Sequence, residues 1–328
     1  MNLEPEDLEA LALNPSGTDQ MVRLMQSLTH LGRHREAIEN GEKALVRGMG
    51  SSEVHLGLAQ ANMNLGRMDT AWVHHEAAQE LISPYDEEIH VLQTKAMLLR
   101  FDGKRKEAVA ILEELSQRDP THPGPKASRA RHYLRNGDLD AAQILTDELS
   151  MLEDYRWRLK SMMLQARILH ERGQKDLALA LLAQPEMRRF GNRFRVDILQ
   201  GQGRVEEAIA SGYQAIEQEP GDLGLKLMQV ELLRDADRLE EAQNQAVRAL
   251  GLDPEGPAAS YWYASVLWRR GDTRTALAHA RVANRERPGW QAALWLEAEC
   301  LQDLGEQEAA DVLFAQVEDL KQKRKAVR

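Results

Sequence analysis

The feature that most limits the fold of this chain is a glycine followed five residues later by an alanine, which recurs along the sequence. Five of the eight steps between successive copies are 34 residues long. Glycine suits a tight turn because it lacks a Cβ atom, and alanine lets two helices approach closely. In one copy Asp237, also a turn former, replaces the glycine. The pairs are Gly32/Ala37, Gly66/Ala71, Gly103/Ala108, Gly137/Ala142, Gly173/Ala178, Gly203/Ala208, Asp237/Ala242, Gly271/Ala276 and Gly305/Ala310.

Residues 257–290 show what one repeat contains. Ala264 and Leu267 lie on one face of a first predicted helix, Gly271 interrupts the pattern, and Pro288 ends a second helix. A small or medium apolar residue precedes every turn by seven positions: Met25, Ala59, Ala96, Ala130, Ala166, Val196, Val230, Ala264 and Ala298. One such helix pair cannot bury its apolar face alone, so the units must stack on their neighbours.

This pattern resembles the tetratricopeptide repeat, although the aromatic residue typical of that family is mostly absent. The resemblance covers residues 18–320 and implies an all-α fold, a right-handed α-solenoid of about nine helix-turn-helix units. We expect a capping helix at residues 1–17 and a basic tail at 321–328. The predicted units are 18–51, 52–85, 89–122, 123–156, 159–188, 189–222, 223–256, 257–290 and 291–320.

Three steps between units depart from the regular spacing. Residues are added around Asp86–Glu88 and near Tyr155–Trp157, and Pro185 accompanies a deletion that shortens a second helix. One interpretation is a neutral change of loop length, which surface connections tolerate. The other is a local change of superhelix pitch that shapes a pocket.

Composition limits the function and the compartment. The net charge of −10 argues against general nucleic-acid binding. The sequence has no apolar run near the roughly 20 residues that a membrane span requires, and its acidic start is unlike a signal peptide. We therefore expect a cytoplasmic protein, or a periplasmic one if a leader has been removed. Cys300, the single cysteine, is expected to be a small core residue rather than a reactive thiol.

In tetratricopeptide arrays the first helices of successive units line a concave groove, and the resemblance places a distinctive set of side chains there. Cations with apolar neighbours occupy the middle units, and aromatic residues occupy the late ones. Arginine pairs well with carboxylates, and exposed aromatic residues often anchor partners. The predicted groove residues are Arg100, Phe101, Arg131, Arg135, Lys160, Met163, Arg167, His170, Arg193, Tyr261, Trp268, Arg269 and Trp295.

Structural explanations compete with this assignment. The cations could form an ordinary solvated face, and Trp268 and Trp295 could pack between units. The paired lysine and asparagine that clamp a C-terminal carboxylate in some family members are absent from this sequence. A chaperone-type clamp is therefore disfavoured.

The sequence lacks the spacings that catalysis or cofactor binding would require. It has no phosphate-binding glycine loop and no paired metal-ligating motif, so we expect no enzyme activity, no cofactor and no metal. His30 and His34 are separated by the turn at Gly32, which breaks their shared helical face. Glu36, Glu107, Glu207 and Glu241, each directly before a packing alanine, are expected to be structural or solvated.

The leading hypothesis is a non-catalytic scaffold or adaptor that binds a partner peptide or helix in its groove. That partner would be acidic with an apolar anchor, and homo-oligomers would also be compatible. Membrane contact would be indirect or through the basic tail. Two alternatives are an assembly factor for a bacterial cell-envelope machine, such as a pilus, secretion or polysaccharide-export apparatus, and a regulatory subunit of a transferase or other enzyme. The assembly-factor alternative rests on family analogy.

Overall fold

The computed structural model describes residues 17–82, 85–119, 121–187 and 191–326. Those residues form eighteen α-helices and one short 3-10 segment, Pro185–Met187, without any strand, which confirms the predicted all-α class. The predicted capping helix lies, except for Gly17, outside the described residues. The helices are α1 (Thr18–His30), α2 (His34–Val46), α3 (Ser52–Asn64), α4 (Met68–Glu80), α5 (Tyr85–Phe101), α6 (Arg105–Arg118), α7 (Pro123–Arg135), α8 (Leu139–Ser150), α9 (Tyr155–Glu171), α10 (Lys175–Leu182), α11 (Asn192–Gly201), α12 (Val205–Gln218), α13 (Leu223–Asp235), α14 (Leu239–Leu252), α15 (Pro257–Arg269), α16 (Thr273–Glu286), α17 (Gln291–Asp303) and α18 (Gln307–Ala326).

Every recurring turn position has a left-handed backbone. The eight glycines have φ between 73° and 85°, and Asp237 has φ of 58°. This conformation ends the first helix of each pair through a recurring bond pattern. After α1, for example, the Arg33 N–H donates to the Leu28 carbonyl at 2.8 Å, and the Gly32 N–H donates to Thr29 at 3.2 Å. The glycine period of the sequence therefore reflects a backbone requirement of the helix C-terminus.

Asp237 is the only non-glycine residue with positive φ in the part of the chain that the structure describes. An L-residue is strained there. We expect Asp237→Gly to raise the free energy of unfolding by about 0.5–1 kcal/mol, because its exposed 3.3 Å pair with Arg269 contributes little. Gly137→Ala should instead lower the free energy of unfolding, because Gly137 has φ of 81°. A new Cβ there would have open space around it, so the loss would come from the backbone conformation and not from a clash. Urea unfolding measures both, and a destabilising Asp237→Gly would contradict the strain.

The recurring alanines lie where the two helices of a pair meet. All nine are buried, and so are all nine residues that precede the turns by seven positions. Around Ala142, for example, Ala130, Leu134, Leu149 and Ile168 form one core cluster. Small side chains therefore set a close approach of the helices, and larger residues from the next helix fill the remaining space.

The structure corrects two sequence-based boundaries. The residues inserted near 86–88 and 155–157 extend α5 and α9 to 17 residues each, instead of lengthening loops. At the other end of the chain, α18 continues to Ala326, so Lys321 and Lys323 lie on a helix and not in a tail. There they pair with Glu318 at 3.5 Å and Asp319 at 2.7 Å. Pro185 follows α10, which has only 8 residues, as the sequence predicts.

The chain divides into two compact units, which we call the terminal and the central unit. The terminal unit comprises the described residues of the ranges 1–50, 60–71 and 220–328. The central unit comprises residues 51–59 and 72–219. Among the helices of the described ranges, none combines the length and the apolar character that crossing a membrane would require.

Candidate interaction surface

Cations from successive helix pairs of the central unit come together. Arg100 lies on α5, Arg131 and Arg135 on α7, and Lys160 and Arg167 on α9, and all five side chains are exposed. Each of these helices is the first of its pair, so the repeat places equivalent faces side by side. We call these five residues the cationic cluster.

The charges of the cluster act on one another. The pKa of Arg131 is lowered by desolvation first, and then by the positive charges of Arg135 and Arg167. Desolvation together with Arg135, Arg131 and Arg105 lowers the pKa of Arg100 to about 10. The cluster is therefore a surface of concentrated positive charge.

The five cations of the cluster lack direct ion-pair partners of their own in the described part of the chain. Arg131 instead donates to the Ala127 carbonyl at 3.3 Å and to Ser128 Oγ at 3.1 Å. Elsewhere in the same unit, Arg156 pairs with Asp154 at 2.7 Å and Arg172 with Asp140 at 2.8 Å. The positive charges of the cluster are therefore not neutralised by ion pairs within the described residues.

Aromatic rings lie against three of these cations. The Arg167 guanidinium is 5.0 Å from the centre of the Phe194 ring, and Lys160 Nζ is 3.9 Å from the centre of the Trp157 ring. Such contacts hold the cations in place without neutralising them. Phe101, beside Arg100, leaves 52% of its area exposed and adds apolar surface.

The remaining predicted residues of this surface lie at its α9 and α11 side. The half-buried Met163 packs on the core formed by Leu159 and Ala166. Asp197 is close enough to Arg167, Arg193 and His170 for their charges to lower its pKa, but desolvation outweighs them and raises it. Asp197 is therefore a local acidic boundary of the cationic surface.

The predicted aromatic residues belong to the terminal unit and are engaged within it. Trp268 donates from Nε1 to Asp303 Oδ2 at 2.8 Å, and its ring meets the Trp295 ring edge-on at 5.8 Å. Tyr261 packs against Trp290, with ring centres 4.7 Å apart. Arg269 pairs with Asp237 at 3.3 Å. These contacts give Trp268 and Arg269 structural partners, and Trp295 remains 41% exposed.

Sequence comparison decides the family. Three family models, each described as a tetratricopeptide repeat, match residues 102–154, 161–184 and 227–290. The chain is a tetratricopeptide repeat protein. The first two matched segments contain three of the five residues of the cationic cluster, Arg131, Arg135 and Arg167. Arg100 and Lys160 each lie within two residues before a matched segment.

Two solved structures are similar to this tetratricopeptide repeat protein. One is described as the MamA RS-1 ArsTM double mutant, with 13% identity and a TM-score of 0.44, covering 51% of this chain and 97% of that one. The other is MamA 41-end from Desulfovibrio magneticus RS-1, with 13% identity and a TM-score of 0.43, covering 50% and 96%. A search of curated proteins found no match. At 13% sequence identity, neither MamA structure indicates what this chain binds.

The sequence did not reveal Trp157 and Phe194 as partners of the cations. Trp157 precedes Lys160 by three residues, and this helical spacing is a signal that could have been used. Phe194 comes from a different helix than Arg167, so no local spacing announces their contact.

Other chemically notable residues have structural surroundings. Burial and nearby carboxylates raise the pKa of the Cys300 thiol to about 12, so it stays protonated in the core. His55 and His74 share a contact of 3.1 Å between their Nδ1 atoms, and His75 Nε2 lies 3.2 Å from the Val91 carbonyl. No group of three or more metal-ligating side chains occurs in the described ranges.

Three of the glutamates that precede packing alanines have local ion-pair partners. Glu36 pairs with Arg33 at 2.6 Å, and the equivalent contacts of Glu207 with Arg204 and of Glu241 with Arg238 are both 2.7 Å. Each pair bridges the turn and the first residues of the second helix. These carboxylates are part of the repeat structure.

Proposed function

We propose that this tetratricopeptide repeat protein is a non-catalytic scaffold whose central unit binds an acidic segment of a partner protein. The observation that carries the proposal is the cationic cluster, whose five exposed cations have no ion-pair partner among the described residues. Desolvation and neighbouring positive charges lower the pKa of four of them, Arg100, Arg131, Arg135 and Lys160. Carboxylates entering this surface would relieve that repulsion and form charge-assisted hydrogen bonds.

The surroundings of the cluster favour a peptide or helix over nucleic acid. The whole chain carries a net charge of −10, so long polyanions would be repelled outside this surface. Phe101 and Met163 offer apolar contact beside the charges. An acidic segment with one aliphatic or aromatic anchor matches both properties. We further propose that the partner's anchor lies near Phe101, the most exposed ring of this surface.

We expect Arg131→Glu combined with Arg167→Glu to weaken peptide binding by at least about tenfold, since arginines that an interface buries often dominate binding. The ligand is a fluorescein-labelled, glutamate-rich peptide that contains one leucine. The measurement is fluorescence anisotropy at low salt, with a glutamine-for-glutamate peptide as the ligand control. Folding should be nearly unchanged because both side chains are exposed.

The matched protein control is Arg118→Glu combined with Arg172→Glu. It makes the same charge change in the same unit, but at arginines outside the cluster that already have carboxylate partners. Retained binding by this control would assign the effect to the cluster. Equal loss in both variants, or equal binding of the uncharged peptide, would refute a specific acidic site.

A further inference from the structure

Two repeats that are far apart in sequence touch through a backbone hydrogen bond in the terminal unit. The Leu223 N–H donates to the Leu31 carbonyl at 2.9 Å. Beside this bond, a Cβ added to Gly32 would lie 3.4 Å from the Gly224 nitrogen, which shows how closely the two backbones approach. Leu31 and Leu223 are both buried. The contact joins the turn after α1 to the start of α13, which are not neighbours in the repeat order.

Ion pairs surround this contact. Arg35 Nη2 lies 2.8 Å from Glu255 Oε2, and Arg35 Nη1 lies 3.7 Å from Glu286 Oε2. Arg67 Nη2, from the turn of the second repeat, also lies 3.7 Å from Glu286 Oε2. The side chains of Arg35 and Glu286 are only 20% and 17% exposed, so solvent screens these charges less than it screens surface pairs.

The contact differs in kind from the packing between adjacent repeats. It is made by turn residues and charged side chains, whereas neighbouring helices are joined by buried alanine and leucine faces. The helices on both sides have their own hydrophobic cores, such as the cluster of Leu223, Ala249 and Ala259. Breaking the contact would therefore leave the individual helix pairs folded.

We propose that the turns at residues 31–35 and 66–67 form a reversible intramolecular clasp on residues 221–224, 253–255 and 286–287. The clasp would tie the first two repeats to the seventh and eighth predicted repeats. It would open and close as a conformational switch without unfolding of the helix pairs. Its strength would depend on charge, because three ion pairs converge on one small interface.

The Leu223 amide is a direct reporter of the clasp. It begins α13, where a helix leaves its first N–H groups without an intrahelical acceptor. Its protection against hydrogen exchange therefore depends on the Leu31 carbonyl. NMR of full-length protein labelled with 15N-leucine would follow this amide together with Leu267 in the middle of α15 as an internal control.

We expect Arg35→Glu and Glu255→Arg each to accelerate exchange of the Leu223 amide roughly tenfold or more, because each places like charges together. The combined charge swap should return the rate to within roughly threefold of the original. Leu267 should not change in any variant. Arg23→Glu, an exposed position on α1, is the matched charge control.

Rapid exchange of Leu223 in the unaltered protein would overturn the clasp. So would single substitutions without effect, or a charge swap that fails to restore protection. Faster exchange throughout α13–α15 would also overturn it, since opening would then be unfolding.

Acidity provides a second test, because Asp253 lies within the clasp. Desolvation raises its pKa to about 6, with Arg35 and Arg33 opposing the shift and Glu36 and Glu39 adding to it. Glu255, by contrast, has a pKa lowered by its hydrogen bond from Arg35. The closed clasp thus favours protonated Asp253 while keeping Glu255 ionised.

Because the pKa of Asp253 is raised in the closed state, closure should become more favourable as the pH falls from 7 to about 5. Leu223 protection, corrected for intrinsic exchange, should rise over this range. Asp253→Asn should show the higher protection already at pH 7 and lose the pH dependence. Protection that instead falls between pH 7 and 5 would contradict the arrangement of charges in the clasp.

Discussion

Replacing Ala142 with leucine is expected to lower the free energy of unfolding by about 1–3 kcal/mol, because a well-packed core has no room for the added atoms. Ala142 is completely buried between α7 and α8, beside Ala130 and Leu134. The larger side chain would have to push the two helices apart or adopt a strained rotamer. Ala208→Leu, at the equivalent position of α12, should behave in the same way.

Urea unfolding followed by circular dichroism measures this loss, and Ala110→Leu is its control. Ala110 lies exposed on α6, so the same substitution there should change the free energy of unfolding by less than about 0.5 kcal/mol. If Ala142→Leu were as mild as Ala110→Leu, the recurring alanine would not mark the closest approach of the helices.

Removing a large side chain from the same core is the second substitution with a large expected effect. Leu149→Ala should cost about 2–5 kcal/mol, through lost burial and the cavity left behind. Leu149 is fully buried and packs with Ala142, Leu164 and Ile168, so it joins α8 to α9. Because repeats are stabilised by their neighbours, α7–α9 should open first.

Hydrogen exchange can locate that opening, and an exposed leucine provides the comparison. Leu177 on α10 is 57% exposed, and Leu177→Ala should have little effect. Faster exchange confined to α7–α9 in Leu149→Ala would agree with local coupling. Equal stability of the two variants would show that Leu149 does not hold neighbouring repeats together.

The repeat itself was predictable because it depends on short-range rules. A left-handed turn favours glycine, and close helix packing favours alanine, so Gly137 and Ala142 identify a helix pair without further context. Asp237 obeys the same backbone rule with a different residue. The inserted residues were placed less well, because added residues before α9 can extend either a loop or a helix, and the repeat pattern is the same in both cases.

The proximity of the cations in the central unit also follows from the period. Arg100, Arg131 and Arg167 occupy first helices of successive pairs, so stacking brings them together. Their lack of ion-pair partners in the described ranges could not be read from the sequence, since abundant carboxylates lie nearby in the chain. Arg269 illustrates the opposite outcome, because it pairs with Asp237 across 32 residues.

The contacts of the clasp could not be predicted from the sequence, because they join repeats that are not neighbours. A repeat pattern specifies contacts between neighbours, whereas the meeting of Leu31 with Leu223 depends on small rotations added over many repeats. The spacing of residues within a single repeat therefore does not predict which distant repeats meet.

The long span of the clasp also has a consequence for synthesis on the ribosome. Arg35 is made 220 residues before its partner Glu255. At about 5–20 residues per second, the interval lasts roughly 10–40 s. Helices α1 and α2 form far faster than that, within about microseconds. The nascent first repeat of the clasp therefore remains with Leu31 uncovered until the residues that contact it have been synthesised.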